Sequence, residues 1–120
     1  MAKGDDIEER LINFAVAIVQ LCSRLPQTYA GKHVASQLLR SGTSPAPNYA
    51  EARGAESRRD FIHKLGISLK ELKESLIWLT ILQRSRIISE THIDSLFGEC
   101  TELTKIITSS IKTAESKRSS

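Results

Sequence analysis

Apolar residues recur at alternating steps of four and three along most of this chain. Between Asp5 and Arg24 they fall at Ile7, Leu11, Phe14, Ile18 and Leu21 and continue to Leu25, which predicts a helix packed along a coiled-coil type of seam. Ala15, Val16, Ala17 and Val19 make its middle apolar nearly all round, more than one core can cover. Asp5, Asp6, Glu8 and Glu9 crowd its first turn, where negative charge complements the helix dipole. A short connection over Leu25–Gly31, bracketed by Pro26 and Gly31, leads to a second helix starting near Lys32. There Val34 and Leu38, with Leu39 beside them, point inward. The third helix, about Arg58–Gln83, is the longest, with a stripe of Phe61, Leu65, Leu69, Leu72, Leu76 and Leu79. Ile62, Ile67, Ile77, Trp78 and Ile81 widen it, so this helix is either central in a bundle or buried by another chain. After a loop over Arg84–Ser89, with Ser89 or Thr91 as cap, a fourth helix of about Glu90–Ala114 runs through Ile93, Leu96, Phe97, Cys100, Leu103, Ile107, Ile111 and Ala114. Lys117–Ser120 reads as a frayed tail.

The stretch Ser41–Phe61 punctuates this pattern. Ser44 before Pro45 reads as an N-cap with proline at the first helical position, and Pro47 still falls in the first turn. The second helix is therefore expected to break at Ser41-Gly42 and restart as Pro45–Arg53. Its small Ala46 and Ala50 would let a neighbour approach, and Gly54 suits a left-handed cap. Ser57 with Asp60 resembles a capping box for the third helix. These elements predict an all-α fold, an antiparallel up-down-up-down four-helix bundle with its second helix broken at Pro45 and Pro47. The alternative is a three-helix core with the second helix packed across it.

The run Ser44-Pro45-Ala46-Pro47-Asn48-Tyr49-Ala50-Glu51, followed by Ser57-Arg58-Arg59-Asp60-Phe61-Ile62, resembles the signature of a family of small bacterial four-helix-bundle proteins. They are named for reading frames in intervening sequences of 23S ribosomal RNA genes. The resemblance covers about Ile7 to Ile111 and includes Gln37-Leu38-Leu39-Arg40. It departs where Ala52 replaces a usual glycine and Tyr49 a small aliphatic residue. The motif specifies the fold more than a function. It implies a ring-like homo-oligomer, a pentamer. It also implies similarity to the accessory proteins of diversity-generating retroelements, bundles that work beside a reverse transcriptase on RNA.

The chain has 120 residues, which is one domain, with a core over about 5–115. It is 40% hydrophobic but only 5% aromatic, which suits packed aliphatic helices. Charge is unevenly placed. From Arg24 to Arg86 there are 11 Lys and Arg against 5 Asp and Glu, whereas from Ile87 to Ser116 there are 2 against 5. One side of the bundle is then electropositive and suits an anionic partner, though solvated helix faces give the same count. No apolar run is long enough for a membrane span, and the polar, acidic start does not read as a secretion signal. Cys22 and Cys100 lack metal or redox spacing and are expected as buried free thiols in a reducing cytosol.

Catalysis is not expected, and neither is a cofactor. A di-iron bundle needs two Glu-x-x-His pairs, and the only comparable pair, Asp60 with His63, stands among Arg58, Arg59 and Lys64. His33, His63 and His92 are not spaced to share a metal. No nucleophile elbow or phosphate loop occurs. Asn48 and Glu51 lie one helical turn apart, either as a recognition pair or to satisfy backbone groups freed by the break. The candidate nucleic-acid contacts are Arg53, Arg58, Arg59, Lys64, Lys70 and Lys73, suited to phosphate without sequence readout. Glu71 and Glu74 interleave with the lysines and weigh against this, as does the lack of interleaved aromatics. Two readings follow: a nucleic-acid-associated module, or a structural or protein-interaction adaptor.

Overall fold

The computed structural model describes residues 4–89 and 92–118. They form five helical segments, α1 (Asp5–Arg24), α2 (Tyr29–Thr43), α3 (Pro45–Arg53), α4 (Arg58–Ser85) and α5 (His92–Arg118). α2 and α3 together make one arm, so the architecture is the predicted four-helix bundle, 52 × 26 × 20 Å. α1 packs on α2, α3 and α5, and α4 packs on α2, α3 and α5, while the backbones of α1 and α4 lie diagonally and do not come close. Four arms at four corners exclude the three-helix alternative. One cluster of buried side chains runs the length of the bundle, built on Leu11, Phe14, Ile18 and Leu21 of α1, Leu38 of α2, Leu65, Leu72 and Leu79 of α4, and Leu103 and Ile107 of α5.

The second arm departs from expectation in its details. Thr28 caps α2, its hydroxyl accepting from the Gly31 N–H at 3.1 Å, so the helix begins at Tyr29 and not near Lys32. Helical geometry then runs unbroken through Ser41 and Gly42 to Thr43. Ser44 itself is helical (φ −69°, ψ −35°) and caps nothing. A cap hydroxyl accepts from the second or third helical N–H, and here the third residue is Pro47, which has none. The Asn48 side-chain amide fills the gap, donating to both Ser44 O and Ser44 Oγ at 3.0 Å. The second helix is thus broken as expected, but at Ser44 and not at Ser41-Gly42, and it restarts at Pro45.

Other termini shift as well. Gly54 has φ −95° and is not left-handed, whereas Arg86 is, at φ 54°, and it closes α4 two residues beyond the expected Gln83. α5 continues past Ala114 through Lys117 to Arg118, so the first two residues of the supposed tail are helix. Thr91 lies outside the described residues. Leu39 is 40% exposed and Ala50 is exposed; Tyr49 and Ala52 take the inward positions of α3. The α4 seam is Leu65, Ser68, Leu72, Ser75, Leu79 and Leu82, with Leu69 and Leu76 only flanking it. Two serines therefore occupy seam positions between leucines. Ser68 Oγ donates to Pro45 O at 3.0 Å, and Ser75 Oγ shares a 2.9 Å hydrogen bond with Ser41 Oγ. Both bonds tie α4 to the bent arm, where small side chains admit the close approach. On its other side the arm meets α1 as closely: a Cβ at Gly42 would stand 2.8 Å from Ile18.

Candidate nucleic-acid interface

Ser57 sets the start of α4, its hydroxyl accepting from the Asp60 N–H at 3.0 Å. That start fixes which residues face the core, and hence which face out. Opposite the leucine and serine seam, steps of three and four, with half-buried Gly66 between His63 and Lys70, place Arg59, His63, Lys70, Lys73, Ile77, Ile81 and Arg84 in solvent. From Arg59 to Arg84 this ridge spans about 38 Å at the α-helical rise. It carries four permanent cations and no carboxylate.

The acidic residues that interleave with the lysines in sequence point elsewhere. Arg40 of α2 takes up both: its guanidinium binds Glu71 Oε2 at 2.8 Å and also pairs with Glu74. Glu74 further accepts from the Trp78 indole N–H at 3.0 Å, and Trp78 meets His33 edge-on with ring centres 5.8 Å apart. These contacts seal the α2–α4 junction. They draw both carboxylates toward α2 and away from Lys70 and Lys73, with Arg40 balancing one of the two charges.

The six candidate cations divide into two groups. Arg53 bridges Asp5 at 2.7 Å and Glu8 at 3.1 Å, holding the end of α3 to the start of α1. Its hydrogen bond to Asp5, and then that to Glu8, hold the guanidinium above its ordinary pKa. Lys64 pairs with Glu51 at 2.8 Å, and that bond raises its pKa. Glu51 therefore serves a cross-arm ion pair, while Asn48 braces the bend. Arg58, Arg59, Lys70 and Lys73 are exposed, and no carboxylate among the described residues pairs with them. Arg58 turns away from the other three, toward α5. Arg84 belongs to the ridge by its spacing. It was discernible in sequence as the next outward position beyond Ile77 and Ile81.

The thiols are inert by burial, which pushes Cys22 up to about 11 and Cys100 to about 12. Among the described residues no group of three His, Cys, Asp or Glu could hold a metal, and no helix is long and apolar enough to cross a membrane.

Fold and surface together define a helical bundle with one basic outer ridge. Residues 5–109 match the family model of the 23S rRNA-intervening sequence protein, and the chain belongs to that family. A solved structure from Bacteroides thetaiotaomicron, described as a protein of unknown function from the S23 ribosomal protein family, is similar. It is 40% identical, with a TM-score of 0.82 over 88% of this chain and 98% of that one. No curated protein matches.

Proposed function

We propose that this protein is a non-enzymatic binding module that holds nucleic acid by its phosphates along the outer ridge of α4. The observation that carries the reading is the capture of Glu71 and Glu74 by Arg40, which leaves Arg59, Lys70, Lys73 and Arg84 unopposed. Charge of one sign along a straight helix neutralises a phosphate backbone without reading bases, and the ridge has no aromatic platform on which bases could stack. RNA and DNA of mixed sequence should therefore bind alike, with affinity falling steeply as salt rises. Fluorescence anisotropy of labelled RNA and DNA across a salt series tests this. A flat salt dependence, or strong preference for one sequence, contradicts it.

A homo-oligomer would strengthen such binding, since linked copies of a weak patch act together. The surplus apolar surface supports one. Ile12, Val16 and Val19 stand exposed on α1, and Ile77 and Ile81 on α4, at diagonal corners of the bundle; a contact over Ile77 and Ile81 leaves Arg59, Lys70 and Lys73 as the open part of the ridge. Two different patches on one subunit suit a head-to-tail contact, and such contacts close into rings. The pentamer implied by the family resemblance is one such ring, and light scattering tests it directly. A reverse transcriptase working on RNA is the protein partner that the likeness to retroelement accessory proteins implies. The adaptor reading rests on the same apolar patches and takes over where nucleic acid fails to bind.

A further inference from the structure

At the end of the bundle where α3 stops, a groove of about 770 Å³ opens between α3, the first turn of α4 and the last turns of α5. Its cause is visible in the residues. The backbones of α3 and α5 do not come close, and the positions that could fill the space between them are small: Ala52, Ala55, Ser109, Ser110 and Ala114. Elsewhere the same core is filled by leucine, isoleucine and phenylalanine. Unfilled space forgoes packing contacts, so a bundle built for stability alone would place larger side chains here. The volume lies within the range of about 300–1,000 Å³ typical of small-molecule pockets.

The lining has two characters. Phe61 and Ile106, both only partly buried, form an apolar floor with the alanine methyl groups. Above it, Arg58 of α4 stands on the rim, with Glu56 the one carboxylate in the lining. Arg53 also borders the groove, but Asp5 and Glu8 match its charge. Arg58 has no carboxylate partner among the described residues. Ser109 and Thr113, one turn apart on α5, add hydroxyls along the wall.

We infer that this groove is a ligand site for a small amphipathic anion, a compact apolar or aromatic body carrying one phosphate or carboxylate. The body lies on Phe61 and Ile106, displacing water from apolar surface. The head group meets Arg58, whose planar fork matches either oxyanion in two-pronged fashion. The site is separate from the outer ridge of α4: it uses Arg58, which points away from that ridge, and needs none of Lys70, Lys73 or Arg84.

Calorimetric titration of the full chain with phenyl phosphate and with phenylacetate tests the inference, with inorganic phosphate and benzyl alcohol as head-only and body-only controls. The expected result is saturable binding of at least one anion at one site per chain, with both controls weaker by about tenfold or more. Which anion binds identifies the head group. Arg58→Glu should weaken binding about tenfold or more, because a charged hydrogen bond becomes a repulsion. Thr113→Trp, an exposed position whose indole can swing across the opening, should abolish it while leaving the helical circular dichroism unchanged. Three results overturn the inference: no saturable binding of either anion, equal binding of inorganic phosphate, or unchanged binding in Thr113→Trp. Lys70→Glu with Lys73→Glu should leave phenyl phosphate binding intact, which separates failure here from failure of the nucleic-acid reading.

Discussion

Ser75 Oγ lies 2.9 Å from Ser41 Oγ, inside the bundle and fully shielded from water, joining α4 to the bent arm at a position where the seam would otherwise take a leucine. The pair fixes how closely the two arms approach, and Ser68 repeats the device one heptad earlier against Pro45 O. Neither hydroxyl of the pair is left without a partner, since Ser75 Oγ also lies 2.9 Å from Glu71 O and Ser41 Oγ 3.4 Å from Leu38 O. A buried polar contact of this kind specifies register more than it adds stability.

Ser75→Leu would complete an unbroken apolar seam, and by hydrophobicity alone it should stabilise the fold. Packing predicts the reverse. The added volume has no room between α4 and α2 and leaves Ser41 Oγ only its long 3.4 Å bond to Leu38 O, so a loss of about 1–3 kcal/mol is expected. Urea unfolding of the two proteins checks this, and a variant at least as stable as the parent would show that the arms are not held this closely.

Gly42→Ala gives a second conflict between local and tertiary preference. Alanine favours a helix by about 1 kcal/mol over glycine. The new methyl would nevertheless stand 2.8 Å from the Ile18 side chain, which is fully buried and cannot retreat. Net destabilisation of about 1–3 kcal/mol is expected, and Ile18→Ala in the same chain should recover part of it by opening the space. Thermal unfolding of the single and double variants measures both terms.

Much of this architecture is legible in the sequence, because it rests on periodicity. The bounds of α1 and α3, the Ser57 cap and the outward course of Arg59, His63, Lys70 and Lys73 all follow from local spacing and cap chemistry. What escaped was tertiary. The break at Pro45 and Pro47 is visible in sequence from their missing N–H groups, whereas the Asn48 amide that braces Ser44 across it depends on the folded turn. Ser68 and Ser75 look like surface residues until their α2 and α3 partners are known. Glu71 and Glu74 look like neutralising neighbours of Lys70 and Lys73 until Arg40, more than thirty residues earlier in the chain, is seen to take them.

Buried thiols predict an alkaline loss of stability. Burial pushes Cys22 up to about 11 and Cys100 to about 12, while a thiol in the unfolded chain titrates near 8.5. Between roughly pH 8.5 and the raised folded values, the unfolded chain releases protons that the folded chain retains, so stability falls as pH rises. Below that window the full stability is present. The buried phenol of Tyr49, also raised by burial, acts in the same direction. Cys100→Ala should therefore flatten the decline, by at most about 1.4 kcal/mol for each pH unit in the window. Urea titrations at about pH 8 and pH 10.5 measure the slope, and equal slopes in parent and variant would contradict the assignment.

The division of the basic residues into structural and free cations is the central claim, and one paired comparison tests it. In one variant Arg59, Lys70 and Lys73 become glutamate; in the other Arg53 and Lys64 become glutamine. The first should keep the parent's unfolding midpoint within a narrow margin, since exposed surface changes shift stability by about 0.5 kcal/mol or less. The second should lower it, because Asp5, Glu8 and Glu51 lose their partners. Binding of mixed-sequence RNA and DNA at low salt should behave in the opposite way. It should be abolished in the first variant and retained in the second, with the parent's affinity falling steeply as salt is raised. If the ridge variant binds as well as the parent, or the parent does not bind at low salt, the ridge of α4 is a solvated surface and the nucleic-acid reading is contradicted.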